Sequence, residues 1–214
     1  MNRAILGDLH IGDGRVEVAR IRSAIAVLQT QTLILNGDVL DLLYSDGELT
    51  REMEDFLAFL STLPMEIIWI LGNHDASVPR DAIPSNVTVL QMRYVFRVGT
   101  KRYCVTHGHQ VDWFLQDHPR LSRWAIRLYA FAFRYLGLDL QSWVRRFAFA
   151  QRDLAHQEQE CRARWGYMYD FLITGHTHRP SLDEENRYAN SGDWIAHGTI
   201  VYVDEAGVRL KEAP

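Results

Sequence analysis

Short runs of apolar and β-branched residues recur along the chain: Arg3 to Leu6, Thr32 to Leu35, Glu66 to Leu71, Val87 to Leu90, Tyr94 to Val98, Tyr103 to Thr106, Phe171 to Thr174 and Thr199 to Val203. Each is too short for a helix and predicts a buried strand. Between the first three runs the period changes. Val18, Ile21, Ala24, Ile25 and Leu28 fall on one face of a helix, and Met53, Phe56, Leu57 and Leu60 fall on one face of another. The opening therefore reads β-α-β-α-β, which predicts a layered α/β fold with helices covering a sheet. The chain shows no internal repeat and no low-complexity segment.

Polar residues cluster where the strands end. The first strand runs into Asp8-Leu9-His10, the second into Gly37-Asp38-Val39-Leu40-Asp41 and the third into Gly72-Asn73-His74-Asp75; Thr106-His107-Gly108-His109 and Gly175-His176-Thr177-His178 follow later strands. In open α/β sheets ligands bind beyond the carboxyl ends of the strands. A single Asp after a strand is ordinarily a turn or helix-start residue. Five such ends carrying six of the nine histidines point instead to a metal site. Two divalent cations ~3.5–4 Å apart stabilise both the attacking and the leaving oxygen of a displacement at phosphorus. A carboxylate suits the bridging position, and Asp38 is the natural bridge. Imidazoles and an amide oxygen complete such shells without adding negative charge that would repel an anionic substrate. A water activated by the ions then serves as nucleophile, so no Ser or Cys nucleophile is required.

Length and composition narrow the classes. The 214 residues suit one domain, and 47% apolar with 23% charged residues excludes a disordered chain. A net charge of −4 argues against a general nucleic-acid binder. Cys104 and Cys161 form no CxxC pair, so neither a disulfide framework nor a thiolate zinc site is suggested. The N-terminus enters a strand without the apolar stretch of a signal peptide. The longest apolar stretch, Trp124 to Leu136, is broken by Arg127 and Arg134 and is not a membrane span. The expected location is cytoplasmic, with membrane contact peripheral at most.

The ordered set DxH, GDxxD, GNHD, a later His107 and GHTH resembles the calcineurin-like metallophosphoesterase superfamily, over roughly residues 4 to 194. The resemblance implies a β-sandwich flanked by helices, formed by one domain over 1–214. It implies that Asp8, His10, Asp38 and His178 hold one metal and that Asp38, Asn73, His107 and His176 hold the other. Manganese is the expected metal, with iron, zinc or cobalt as alternatives for a mixed N/O site. His74 would protonate the leaving group or stabilise the transition state, with Asp75 orienting it. The activity implied is hydrolysis of a phosphoester or pyrophosphate bond. Asp41 reads equally as the partner of a ligand or as a helix-start residue. His109 and Arg80 are candidates for substrate contact, set against surface or supporting roles, and Asn190-Ser191-Gly192-Asp193-Trp194 borders the site or is only a Gly-centred turn.

Residues 113–169 differ from the rest, holding 13 of the 24 aromatic residues and nine arginines against five acids. They read as a helical cap inserted before the last histidine motif. Its aromatics either pack the cap's own helices or, with Arg123, Arg127 and Arg134, receive an anionic, partly apolar substrate or an anionic membrane surface. The insertion and Gly175-His176-Thr177-His178-Arg179-Pro180 are similar to the UDP-2,3-diacylglucosamine pyrophosphatase family, whose members cleave a sugar-nucleotide pyrophosphate. That family typically carries Arg where this chain has His74, which leaves a phosphoprotein, nucleotide or other phosphodiester open as substrate. A nuclease would need a long basic groove, whereas the basic excess lies in one insertion. A non-catalytic scaffold would be expected to lack ligands, and none is missing.

Overall fold

The structure, a computed structural model, describes residues 2–45, 47–138, 143–144 and 147–213, with the backbone alone at 119, 123, 130, 134, 148 and 149. The side chains of Arg123 and Arg134, two candidate substrate arginines, therefore lie outside the description. In chain order the elements are β1 (Arg3–Leu6), α1 (Val18–Ala26), β2 (Thr32–Asn36), α2 (Arg51–Ser61), β3 (Glu66–Ile70), β4 (Val87–Leu90), β5 (Arg93–Val98) and β6 (Lys101–Thr106). They continue with α3 (Trp113–Asp117), α4 (Pro119–Leu136), α5 (Ala148–Trp165), β7 (Phe171–Thr174), β8 (Ser181–Asp183), β9 (Tyr188–Asn190), β10 (Thr199–Asp204) and β11 (Gly207–Glu212). One sheet has the order β11-β10-β1-β2-β3-β4 and the other β5-β6-β7-β9-β8. Strands β1 to β4 run parallel, as do β6, β7 and β9, while β10, β11, β5 and β8 pair antiparallel at the flanks.

The strand alternation sorts the core into layers. Ala4, Leu6, Leu33, Leu35, Ile67 and Trp69 face α1 and α2, where Ile21, Ile25, Phe56 and Leu60 are fully buried. Their neighbours Ile5, Ile34, Ile68 and Ile70 point the other way and meet Phe96, Tyr103, Val105 and Ile173 of the second sheet. Covered on both faces, the central strands read as unbroken apolar runs. Thr50 starts α2 by accepting the Met53 N–H at 3.3 Å. Pro119 opens α4, and Gly137 closes it with φ 66°.

The insertion divides in two. Cys161 and Trp165 of α5 pack on Cys104, Leu172 and Tyr188, so α5 is the helix layer outside the second sheet and belongs to the core. Residues 113–138, with α3 and α4, form the cap itself. Phe133 of α4 rests beside Gly14 and 5.7 Å from the Arg15 guanidinium, which places the cap over the loop that follows β1.

Candidate metal centre

Five ligand-type residues adopt left-handed backbone: Asp8 (φ 54°), His10 (49°), Asp38 (49°), His176 (67°) and His178 (56°). This region is uncommon for residues other than glycine, costs about 1–3 kcal/mol each, and persists only where surrounding structure over-determines it. Here the constraint is a web of backbone bonds between loops. Asp8 N–H donates to Gly37 O (3.1 Å), His10 N–H to Asp38 O (2.9 Å), Asp41 N–H to Ile11 O (2.8 Å) and Trp194 N–H to Asp8 O (3.1 Å). Gly72 is required by close approach, because a Cβ there would collide with the Asp38 carboxylate and backbone nitrogen.

The loops bring their side chains into three overlapping clusters. Asp8, His10 and His178 form the first, Asp38, His107 and His176 the second, and His10, Asp41 and His74 a third that shares His10 with the first. In the first, His178 Nε2 lies 3.1 Å from both Asp8 Oδ1 and His10 Nε2. In the second, His107 Nε2 is 3.2 Å from Asp38 Oδ2 and 3.3 Å from Asn73 Oδ1. Asp38 Oδ2 also stands 4.0 Å from His10 Nε2, so it joins the clusters. Imidazole nitrogens converging on one another and on carboxylates, with no thiolate, are a donor set that suits Mn, Fe, Zn or Co. The residues therefore fit a pair of divalent ions.

The remaining ring nitrogens face oxygen atoms. His10 Nδ1 donates to Asp41 Oδ2 (2.8 Å), His107 Nδ1 to the Asn36 carbonyl (2.9 Å) and His176 Nε2 to Asp112 Oδ2 (3.1 Å). His178 Nδ1 stands 3.7 Å from Asp193 Oδ2. Such partners fix the tautomer, so that a metal would be met by Nε2 of His10, His107 and His178 and by Nδ1 of His176. Of these partners, Asp112 carried no sequence signal beyond an ordinary helix N-cap. The Asn190–Trp194 segment does border the site: the Asn190 amide donates to Thr177 Oγ1 (2.9 Å) and Gly175 O (3.1 Å), bracing the GHTH loop.

His74 is held differently from the expectation. Its Nδ1 donates to Asp41 Oδ1 at 2.7 Å, so the buried Asp41 carboxylate serves His10 and His74 together. Asp75 is turned back into its own loop, where it accepts from Gly72 N (2.6 Å), Val39 N (2.8 Å) and Trp69 Nε1 (2.9 Å). It shapes the loop, and Asp41 orients the ring. Burial alone would lower the His74 pKa, but Asp41 and Asp38 outweigh it and raise it to about 9. His74 Nε2 points toward Asp38 Oδ2 at 3.9 Å.

The candidate substrate contacts scatter. His109 lies beside the second cluster, its ring centroid 5.3 Å from that of His107, with Nδ1 buried and without a hydrogen-bond partner among the described residues. Burial, reinforced by His107 and His176, pushes its pKa down to about 3, so the ring is neutral. Arg80 is exposed at the start of a short turn after the GNHD loop, and Arg127 is exposed on α4.

A pH dependence of metal uptake follows. Burial lifts Asp8 to about 7. For His107 burial acts downward, but Asp38 and Asp8 dominate and raise it to about 10. Ligands must be deprotonated to bind, so at pH 7 metal displaces protons and apparent affinity rises with pH. Calorimetric Mn²⁺ titrations in buffers of different ionisation enthalpy should show proton release at pH 7 that diminishes toward pH 10. Heats independent of the buffer at pH 7 would contradict the assignment.

Residues 1–180 match the calcineurin-like phosphoesterase family, and the chain belongs to that family. It is accordingly a metal-dependent phosphoester hydrolase. The chain is 25% identical over 209 residues to UDP-2,3-diacylglucosamine hydrolase from Edwardsiella ictaluri (strain 93-146), covering 87% of this chain and 81% of that protein. Among solved structures it is similar to Yfce, a phosphoesterase from E. coli, with a TM-score of 0.53 and 14% identity over 95% of this chain and 88% of that one. At that identity the likeness shows the fold.

Proposed function

We propose that the protein hydrolyses a phosphoester or pyrophosphate bond in an anionic substrate that carries an apolar part, with a UDP-diacylglucosamine-type pyrophosphate as the best candidate. The observation that carries the chemistry is the Asp38-centred double cluster with His74 beside it. Asp8, His10, Asp38 and His178 would hold one ion, and Asp38, Asn73, His107 and His176 the other. Manganese is the first choice. The ions would supply Lewis acidity toward the phosphoryl oxygens and a readily deprotonated water. His74, fixed by Asp41, presents an Nε2 proton to the leaving oxygen. His109, neutral beside the cluster, would contact the substrate.

The cap supports the apolar half of the reading. Leu121, Trp124, Leu128, Phe131 and Tyr135 follow a 3-4-3-4 spacing on α4 and are each more than half exposed, Trp124 at 72%. They make one apolar stripe along the helix. The exposed Arg120 and Arg127 border it along one side, and residues 113–138 carry four arginines against one acid. An Arg-bordered stripe containing Trp and Tyr suits the surface of an anionic membrane, where an amphiphilic substrate would be met. No described helix is long and apolar enough to cross a membrane. The proposed contact is peripheral.

Turnover of manganese-loaded protein on monoesters, diesters and acylated and deacylated sugar-nucleotide pyrophosphates tests the substrate. The acylated pyrophosphate should give the highest kcat/KM, and equal or better turnover of simple diesters would favour a general phosphodiesterase. For the cap, Trp124→Ser with Leu128→Ser should lower co-sedimentation with vesicles containing anionic lipid. Arg127→Ala should weaken it most at low salt. All three changes should spare hydrolysis of p-nitrophenyl esters. Unchanged vesicle binding in these variants would remove the membrane role.

A further inference from the structure

We propose that Asp112 is a positioning residue that ties the start of the cap to the metal-ligand candidate His176. Its two oxygens do different jobs. Oδ1 accepts from Phe114 N (2.9 Å) and Leu115 N (3.1 Å), capping α3, while Oδ2 accepts from His176 Nε2 (3.1 Å). One carboxylate thus fixes where the cap begins and which nitrogen of His176 is free. With the proton held on Nε2, the Nδ1 lone pair is left for a metal.

The same loop is gripped from its other side by the core helix. Glu158 of α5 accepts from Thr177 Oγ1 at 2.8 Å, one residue beyond His176. The GHTH loop therefore sits between two carboxylates from the segment that precedes it, one at the root of the cap and one on α5. Glu158 touches no histidine ring among the described contacts, whereas Asp112 does. This makes Asp112 the point at which a shift of the cap is felt by a ligand, and a shift of the ligand by the cap.

The inference rests on the reading of His176 as a ligand, and Asp112→Asn separates the two jobs. Asn is as good a helix N-cap as Asp. With its amide oxygen retained on α3, the variant turns an NH₂ donor toward His176 Nε2, which can then no longer keep its own proton there. The proton moves to Nδ1 and blocks the metal position. Asp112→Ser also caps α3 but is too short to reach the ring. Calorimetric titration of the full chain with Mn²⁺ should show two sites in the wild type. In both variants one site should weaken by about 10–100-fold, as is usual for losing such a partner, with the melting temperature of metal-free Asp112→Asn unchanged. Long-range ¹H–¹⁵N spectra of the zinc-loaded wild type should show the His176 proton on Nε2. Wild-type binding of two ions combined with unaltered affinity in Asp112→Asn would overturn this inference alone. So would a proton on His176 Nδ1 in the wild type, or a lowered melting temperature with affinity retained, which would mark a purely structural cap. Failure of the wild type to bind two ions would instead defeat the proposed function.

Discussion

Asp38→Ala is expected to empty both metal positions and lower kcat/KM by more than about 10³-fold, since the ions contribute several kcal/mol of transition-state stabilisation. Asp38 is where the two clusters meet. Its Oδ2 lies 3.2 Å from His107 Nε2, 4.0 Å from His10 Nε2 and 3.9 Å from His74 Nε2, and its Oδ1 accepts from His74 N at 2.8 Å. Burial would raise its pKa, but His107 and His74 hold it well below the carboxylate range, so it is an anion ready to bridge. His178→Ala should remove one ion and leave the other. Because Asp38 also fastens the GNHD loop through His74 N, Asp38→Asn provides the cleaner comparison: its amide oxygen can keep that bond, yet it cannot serve two cations. Elemental analysis of manganese-loaded protein reads both variants. Two ions retained in Asp38→Asn would show that Asp38 does not bridge.

The parts of the fold legible in the sequence are those where one physical requirement acts alone. Strands β1, β2 and β3 are covered on both faces, so their apolar runs and the helical spacings between them announce the layers. Strands β8 and β9 have three residues each and end in polar side chains, and β11 alternates Val208 and Leu210 with Arg209 and Lys211 at a sheet edge. None makes a run long enough to stand out. The composition of residues 113–169 averages two different helices. In α5 Cys161 and Trp165 are, among the described residues, the buried apolar side chains of an otherwise polar helix, while α4 carries the exposed apolar stripe.

The site divides along the same line. Ligand-type residues at strand ends are conspicuous because they recur at five such ends with six of the nine histidines among them. The groups that hold the far side of His107 and His176 are not. Asn36 uses a backbone carbonyl, which any residue possesses, and Asp112 reaches His176 across 64 positions. Asp75 adjoins His74 in sequence but not in the bond that orients it, because neighbours on a tight loop project in different directions. Asp41 lies 33 residues from His74 and is brought to it by the pairing of the β2 and β3 loops.

That geometry sets the second large effect. His74→Ala should keep both ions, since its ring belongs to neither proposed ligand set, while lowering kcat by about 10²–10⁴-fold, the range for loss of a general acid. The loss should be greatest for alkyl phosphoesters, whose leaving oxygen needs a proton, and should shrink for p-nitrophenyl esters, whose leaving group departs as an anion. Asp41→Asn should differ in kind, because Asp41 accepts from His10 Nδ1 at 2.8 Å as well as from His74 Nδ1 at 2.7 Å. It should disturb a metal ligand and the proton donor together, so metal affinity and turnover fall in parallel, whereas His74→Ala separates them. Equal losses in His74→Ala for alkyl and p-nitrophenyl substrates would assign His74 to charge stabilisation instead of proton donation. Loss of an ion from His74→Ala would place it among the ligands.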